Sequence, residues 1–390
     1  MTQALREHWT LDSEVVFLNH GSFGATPRVV LEEQQEWRAR LERQPVQFMA
    51  RELEGHLDQA RGALAEFVGA DPADLAFMNN ATQGVNTVLR SLEFSAGDEI
   101  LATSHGYNAV RTATQYVIER AGGALVEVEV EFPLESADAF VDAVLAGVTD
   151  RTRLLLIDHV TSPSGLVLPV ERLVPAMRER GIAVFVDGAH APGMLPLQLA
   201  ALDADYYTGN CHKWLCAPKG AAFLWVRRDR QPGLRPLSIS HGANAPREDR
   251  SRFRLEFDWT GTDDPSAWLC VPSAIRFLGG LFPGGWDALR AHNRDLVLAG
   301  RKLLLEALGV AAPAPEDMIG FLAAVPLPLG GPAGSPLEFG DPLQVKLLSE
   351  HRIEVPVFQF PQGRAIRISA QAYNHLGEYD ALAKALTALA

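Results

Sequence analysis

Three short stretches carry residue types from which a reactive site can be assembled. Val184-Phe-Val-Asp187-Gly-Ala-His190 ends an apolar run on a carboxylate. In parallel α/β sheets ligands bind at the carboxyl ends of strands, and Asp187 stands at such an end. A carboxylate buried there needs a partner. An Asp at this point also serves as a turn residue or helix N-cap, and His190 as a plain loop histidine. Lys213 follows 26 residues later in Thr208-Gly-Asn210-Cys-His212-Lys213-Trp-Leu-Cys-Ala-Pro-Lys219. A desolvated lysine favours its neutral amine, which can form a Schiff base. The ordinary fate of a loop lysine is solvation, and that is the reading for Lys219. For Lys213 the neighbours Asn210, His212 and Trp214 argue for the reactive role. The third stretch is Asn79-Asn80-Ala81-Thr82-Gln83-Gly84, between a strand and a helix. Backbone N–H groups at a helix start, with a hydroxyl beside them, hold an anion without a lysine, although a Thr can also simply cap the helix. A phosphate site, a ring-nitrogen partner and a Schiff-base lysine are together the equipment of a pyridoxal phosphate enzyme.

Strands and helices alternate along the part of the chain that holds these stretches. Leu53, Leu57, Leu64 and Phe67 repeat at helical spacing. Short apolar runs at Leu75–Asn79, Glu99–Thr103, Leu154–Asp158, Ile182–Asp187 and Ala222–Val226 read as strands, with a further strand over Asp205–Thr208. Continuous apolar runs suit strands covered on both faces, whereas the alternation of Ala124–Val130 suits a less buried one. A helical stretch follows Asn79 and runs through Leu92, and further helices fall at 109–120 and 170–180. This alternation predicts an α/β fold on a mainly parallel sheet. Asp229 to Arg254, rich in charge, Gly and Pro, reads as a long surface excursion. Beyond it lie helices at 271–278 and 289–308, a Pro- and Gly-rich loop at 311–336 with a strand near 321–325, a helix at 342–351, a strand ending near Ser369 and a last helix from Glu378. The expected division is a large cofactor domain over 19–265 and a smaller α+β unit made of 1–18 and 266–390.

Composition limits the partners. Lys and Arg number 35 against 48 Asp and Glu, a net charge of −13, which disfavours nucleic acid and anionic membranes. No apolar run approaches the ~18 residues of a membrane span. The polar start, Met1 to Val15, lacks the apolar stretch of a signal peptide, so a cytoplasmic location is expected. Cys211, Cys216 and Cys270 are too few for a disulfide scaffold and lack the spacing of a zinc site; no metal is expected.

Several motifs in order resemble the class V aminotransferase family of fold-type I pyridoxal phosphate enzymes, and within it the isopenicillin N epimerase-like branch. They are Phe17-Leu-Asn-His-Gly-Ser-Phe-Gly24, Asn80-Ala-Thr-Gln-Gly-Val-Asn86, His105-Gly-Tyr107, Asp187-Gly-Ala-His190, Thr208 to Gly220, Gly261-Thr262 and Arg367-Ile-Ser-Ala-Gln-Ala-Tyr373-Asn374. The resemblance implies that Lys213 carries pyridoxal 5′-phosphate as a Schiff base and shuttles the Cα proton, and that Asp187 pairs with the ring nitrogen. It implies that His105 stacks on the ring and that His190 meets the ring hydroxyl. Ala81 and Thr82, with Thr208, Asn210 or His212, would hold the phosphate. Thr262 would reach a phosphate across a two-fold axis, which makes the active unit a homodimer with shared sites. Arg367 is the expected ligand of the substrate carboxylate, with Tyr107 and Asn374 nearby. Strand parity puts Arg367 and Ser369 on one face and Ile366 and Ile368 on the other, with Arg364 on the isoleucine side.

The same implied chemistry leads to epimerisation, transamination or loss of a β-substituent, depending on where acids and bases stand. An amino acid or amino-acid-containing peptide is the expected substrate. A carbon–sulfur lyase or desulfurase-like enzyme is the alternative, and a cofactor-binding regulatory module the non-enzymatic one. Desulfurases of this family use a cysteine on a loop of the C-terminal half; the corresponding residues, 311–339, contain none. Tyr107 and His105 are the candidates for an acid on the face opposite Lys213.

Overall fold

The structure is a computed structural model that describes residues 5–328, 340–361 and 363–389. Residues 329–336 of the Pro- and Gly-rich loop read at 311–336 therefore lie outside the described residues. The first strand, β1 (Val16–Phe17), is short; the seven that follow build one sheet. They are β2 (Leu75–Met78), β3 (Glu99–Thr103), β4 (Ala124–Val128), β5 (Thr152–Asp158), β6 (Ala183–Gly188), β7 (Tyr206–Asn210) and β8 (Ala222–Val226). Their spatial order is β2-β8-β7-β6-β5-β3-β4. The sheet is parallel except at β8, which runs antiparallel to both β7 and β2.

Side-chain alternation along these strands feeds two apolar cores. Leu154 and Leu156 enter the core that also holds Val85, Val88, Val110 and Ile118, from the helices Ala81–Ser91 and Asn108–Arg120. Leu155 and Ile157 enter the opposite core, with Leu57 and Leu64 of helix Leu53–Val68 and Leu173 of helix Val170–Arg178. Both faces of β5 are covered, so its apolar run is continuous. β4 is the edge strand and stays half exposed, which accounts for its alternating sequence.

The C-terminal part adds an antiparallel three-stranded sheet. Its strands are β9 (Leu322–Pro326), β11 (Val357–Phe360) and β12 (Gly363–Ser369), in the order β11-β12-β9. Helix Gly285–Leu308 packs on it, and helix Leu376–Leu389 packs against that helix, with its Tyr379 hydroxyl donating to the Ser369 carbonyl at 2.7 Å. β1 runs parallel to β10 (Ile353–Glu354), which lays the N-terminal segment onto this part. Ile366 and Ile368 are buried as expected, but Arg367 and Ser369 on the other face are buried too. The reason is the N-terminal segment: the His20 N–H donates to Ser369 Oγ at 2.9 Å, and Arg367 donates to Asn19 and Ser22. Arg364, at the strand's outer end, pairs with Asp341 at 3.1 Å.

The excursion at 229–254 departs from its reading as surface throughout. Its last residues enter the helix Arg252–Phe257, whose Phe253 and Phe257, one turn apart, join Leu224 and Val226 in a core. Arg254 is buried and pairs with Asp58 at 2.6 Å and Asp258 at 3.0 Å. Charge in the sequence hid an inward-facing pair of aromatics. Among the described residues no helix is long and apolar enough to cross a membrane.

Candidate active site

Lys213 sits in the tight connection between β7 and β8. The N–H groups of Cys211 and His212 both donate to the Ala221 carbonyl, at 2.9 and 3.1 Å, and Cys216 N–H donates to Lys213 O at 3.0 Å. A second layer comes from the N-terminal segment. His20, fully buried, has Nε2 3.0 Å from the Lys213 carbonyl, and Tyr373 Oη lies 2.6 Å from its Nδ1. The carbonyl can only accept, so His20 carries its proton on Nε2 and Tyr373 donates to Nδ1. Burial pushes the His20 pKa down to about 3, so the ring is neutral. Gly24 has φ 72°, and a Cβ on it would stand 2.0 Å from His212 O. The Asn19–Gly24 motif thus braces the lysine loop from outside.

The Lys213 Nζ lies 2.9 Å from His190 Nε2. Beneath it the sheet ends in two neighbouring carboxylates. Asp187 is the last residue but one of β6, and the register pairs it with Asp158, which closes β5. Both are buried. Burial raises the Asp187 pKa, although Ala189 N–H, 2.9 Å from Oδ1, and the Lys213 charge work the other way. Asp158 is raised well above the usual carboxylate range, by burial first and then by the Asp187 charge, with Lys213 again opposing. Sequence reasoning singled out Asp187 and passed over Asp158. The signal was there, since both end buried apolar strands on an Asp.

The helix Ala81–Ser91 starts beside β7. Asn80 caps it, its Oδ1 accepting from Gln83 N–H at 2.8 Å. Asn210 Oδ1 accepts from Ala81 N–H at 2.8 Å, which fastens the helix start to the strand that leads to Lys213. The Ala81 amide is therefore spent on Asn210, and Thr82 is the residue of the first turn whose N–H and hydroxyl have no protein partner among the described residues. Thr208 corrects an expectation. Its hydroxyl is fully buried and donates to the Phe223 carbonyl at 2.9 Å, and a Cβ on Gly84 would lie 2.4 Å from it. It is the surface on which the helix start rests, with no proton left for an anion. His212 Nδ1 lies 3.1 Å from the Ala221 carbonyl and therefore donates to it. Burial lowers its pKa to about 4, so Nε2 of the neutral ring is an acceptor unless an anion draws a second proton to it.

His105 is buried and both ring nitrogens are engaged. Nε2 donates to the Val130 carbonyl at 3.2 Å, so Nδ1 accepts from Ser164 Oγ at 2.9 Å. Burial lowers its pKa, and the neutral ring meets Phe132 edge-on at 5.5 Å. This ring has no proton to give, so it does not serve as the acid opposite Lys213. Tyr107 is half-buried at the start of helix Asn108–Arg120. Arg367 donates to Ser162 O at 2.6 Å, Ser162 Oγ at 3.2 Å, Asn19 Oδ1 at 3.3 Å and Ser22 Oγ at 3.1 Å, with Phe358 4.9 Å from its guanidinium carbon. Asn374 is a second correction. Its Nδ2 donates to Phe17 O at 3.0 Å and Glu378 Oε2 at 2.8 Å, and its Oδ1 accepts from Gln371 N–H at 2.9 Å. Fully buried, it ties β1 to the last helix and is closed to substrate. Thr262 stands exposed in the turn after the helix Arg252–Phe257.

Residues 15–317 match the family profile Aminotransferase class-V. The chain belongs to the class-V aminotransferase family. Its cofactor is pyridoxal 5′-phosphate, and the site's chemistry fits that group. A protonated ring nitrogen would relieve the buried Asp187, Thr82 at a helix start suits a phosphate, and Lys213 offers an amine. The chain is 39% identical to the isopenicillin N epimerase of Amycolatopsis lactamdurans, over 98% of this chain and 97% of that one. It is 32% identical to the L-cysteine desulfhydrase of Arabidopsis thaliana, over 96% and 88%. In fold it is similar to the apo cysteine desulfurase of Thermococcus onnurineus NA1, with TM-score 0.81 at 19% identity over 99% and 97% of the two chains. A complex of the cystine C–S lyase C-DES with cysteine persulfide gives TM-score 0.76 at 22% identity, over 96% and 98%.

Proposed function

We propose that this class-V enzyme moves the Cα proton of an amino acid, or of a peptide-like substrate ending in one, with epimerisation as the outcome. The observation that carries the reading is the meeting of Lys213 with His190 beside two buried strand-end carboxylates, with a buried Arg367 on β12 available for a carboxylate. When bound, the cofactor supplies an aldehyde that joins an amine and a ring that takes up the electron pair left at Cα. Every other part falls to the chain. Lys213 Nζ takes the proton from one face of Cα, a second acid returns one to the other face, and Asp187 keeps the proton on the ring nitrogen. Thr82 holds the phosphate, with His212 and Asn210 bordering the same strand end. Arg367 binds the substrate carboxylate through two N–H groups, exchanging its contacts with Ser162 and Ser22 for those with the ligand. His105 lies against the ring face. Tyr107 is then the candidate for the opposite-face acid.

The likeness to isopenicillin N epimerases over nearly the whole chain supports epimerisation. A carbon–sulfur lyase is the second reading, favoured by relatives named L-cysteine desulfhydrase at 32% identity. The desulfurase alternative, with a nucleophilic thiolate, is disfavoured by the thiols. All three are buried, burial pushes Cys216 and Cys270 up to about 12, and Cys211 is raised as well. The working unit in this reading is a homodimer, with the exposed Thr262 offered to the neighbouring site.

A panel of amino acids and thioether conjugates in deuterated water tests the proposal. Deuterium at Cα with inversion supports the epimerase. Keto acid shows a transaminase instead, and pyruvate with released thiol a lyase. No exchange with any member defeats the enzymatic reading in favour of a cofactor-binding module. Light scattering at twice the 42.5 kDa chain mass supports the dimer, and a monomer defeats it.

A further inference from the structure

Trp214 follows the lysine directly, yet the chemistry assigned so far does not use it. The side chain is 1% exposed. Its ring leans on His20, with centroids 4.8 Å apart, and meets Phe321 edge-on at 5.4 Å. These contacts fix the indole plane, and the Nε1–H points at His190 Nδ1 over 3.4 Å. An indole N–H can only donate, so His190 Nδ1 must accept. A neutral imidazole that accepts at Nδ1 carries its proton on Nε2. That nitrogen faces Lys213 Nζ at 2.9 Å. An N–H aimed at an amine needs a lone pair there, and only the free base has one.

The surrounding charges set the two groups against each other. Burial disfavours a second proton on His190, and the Arg367 charge disfavours it as well. Asp187 from β6 and Asp158 from β5 favour a cation on the lysine. Were the His190 tautomer to flip, Nε2 would become an acceptor and join the carboxylates in stabilising a lysine ammonium. The indole N–H opposes that flip, because it would then face another N–H.

We propose that Trp214 is a positioning residue that locks His190 in its Nε2–H form, so that His190 holds Lys213 as the free base that captures the cofactor aldehyde. The inference rests on the reading of Lys213 as the attachment point. In the capture a bond forms between Nζ and the aldehyde carbon, and the aldehyde oxygen leaves as water with the two amine hydrogens. Nothing beyond the amine and the aldehyde is consumed.

The full chain, stripped of cofactor and mixed with pyridoxal 5′-phosphate over a range of pH, tests this through the rate at which the yellow adduct forms. Trp214→Phe keeps the aromatic packing and removes the N–H. Its rate profile should move to higher pH, with capture at neutral pH slowed about fivefold, the equivalent of one ordinary hydrogen bond. In a His190→Gln background, where an amide presents donor and acceptor without tautomers, the same change should leave the profile unmoved. A purely structural indole would slow both backgrounds alike, and that result overturns the proposal, as does an unshifted profile in Trp214→Phe alone. Nitrogen-15 spectra of histidine-labelled chain add a direct reading. His190 Nδ1 should be unprotonated in the parent and gain proton character in Trp214→Phe. Borohydride fixation of the adduct in the parent separates the two claims. Cofactor mass missing from the Lys213 peptide refutes the attachment reading, whatever the tryptophan variants show.

Discussion

At the residue scale the site is governed by buried groups whose charge depends on what lies beside them. Asp158 and Asp187 are held side by side at the ends of β5 and β6, and burial raises both. A carboxyl whose folded pKa is raised above its unfolded value destabilises the folded chain at high pH, where it must ionise. The penalty is relieved as pH falls through the folded value, and it is gone below the unfolded one. Asp158→Asn removes one of the two charges and keeps the shape. In cofactor-stripped protein it should raise the melting temperature at pH 8, and the gain should shrink toward pH 5. A gain that does not vary with pH would show that the two carboxylates do not repel across the register. The same variant should leave the cofactor's phosphate contacts intact, so it should still turn yellow.

At the scale of elements, glycines show which helices are tied to the chemistry. Gly84 lies in the first turns of the helix Ala81–Ser91, where a Cβ would stand 2.4 Å from Thr208 Oγ1. Gly84→Ala must lift the helix start off β7, at a cost of about 1–3 kcal/mol. Since Thr82 moves with it, cofactor affinity should fall about five- to 150-fold, by the same energy. Gly62, within helix Leu53–Val68, has nothing within 4 Å of its virtual Cβ. Gly62→Ala should stabilise by about 0.5–1 kcal/mol and leave cofactor binding alone. Titration of both variants with cofactor, beside their melting curves, checks the contrast; equal affinities would sever the helix start from the phosphate. These elements also show what could be read from the sequence. Strands buried on both faces announced themselves as apolar runs, and the edge strand β4 as alternation, because each pattern reports its own cover. Asp187 stood out as a candidate because a polar residue breaks an apolar run at a strand end, and Lys213 because Asn210, His212 and Trp214 flank it. What could not be read was who consumes each hydrogen bond. Thr208 and Asn374 look like ligands by type, but Phe223 and Phe17, more distant along the chain, and Glu378, four residues on, occupy them. Asp158 was passed over although its strand also ends on an Asp, because its importance comes from a strand neighbour and register is not written along one strand.

At the scale of the whole molecule, the brace between the N-terminal segment and the lysine loop makes stability sensitive to acid. His20 is lowered to about 3 and His212 to about 4, and His105 and His190 are lowered as well, burial leading in each case. Unfolded histidines titrate near 6.5. Below that pH the unfolded chain takes up protons that the folded one refuses, so stability falls as pH falls. The loss starts near pH 6.5 and continues to the folded values, about 4 for His212 and about 3 for His20. Asp158 and Asp187 act in the opposite sense over part of this window, because the folded chain keeps their protons where the unfolded chain has lost them. Burial also lowers His56 and His292 and raises Asp258 to about 7, so six histidines stand against three carboxyls, and the melting temperature of the stripped protein should drop from pH 7 to pH 5. His20 supplies the discriminating variant, for its contacts to Tyr373 and the Lys213 carbonyl are neutral hydrogen bonds that a glutamine can copy in part. His20→Gln should melt lower than the parent at pH 7.5, since packing against Trp214 is lost. Its decline toward pH 5 should nevertheless be shallower, because one refused proton has been removed. If the two melting curves run parallel with pH, the acid sensitivity lies elsewhere, and the N-terminal brace is a packing device with no part in proton linkage.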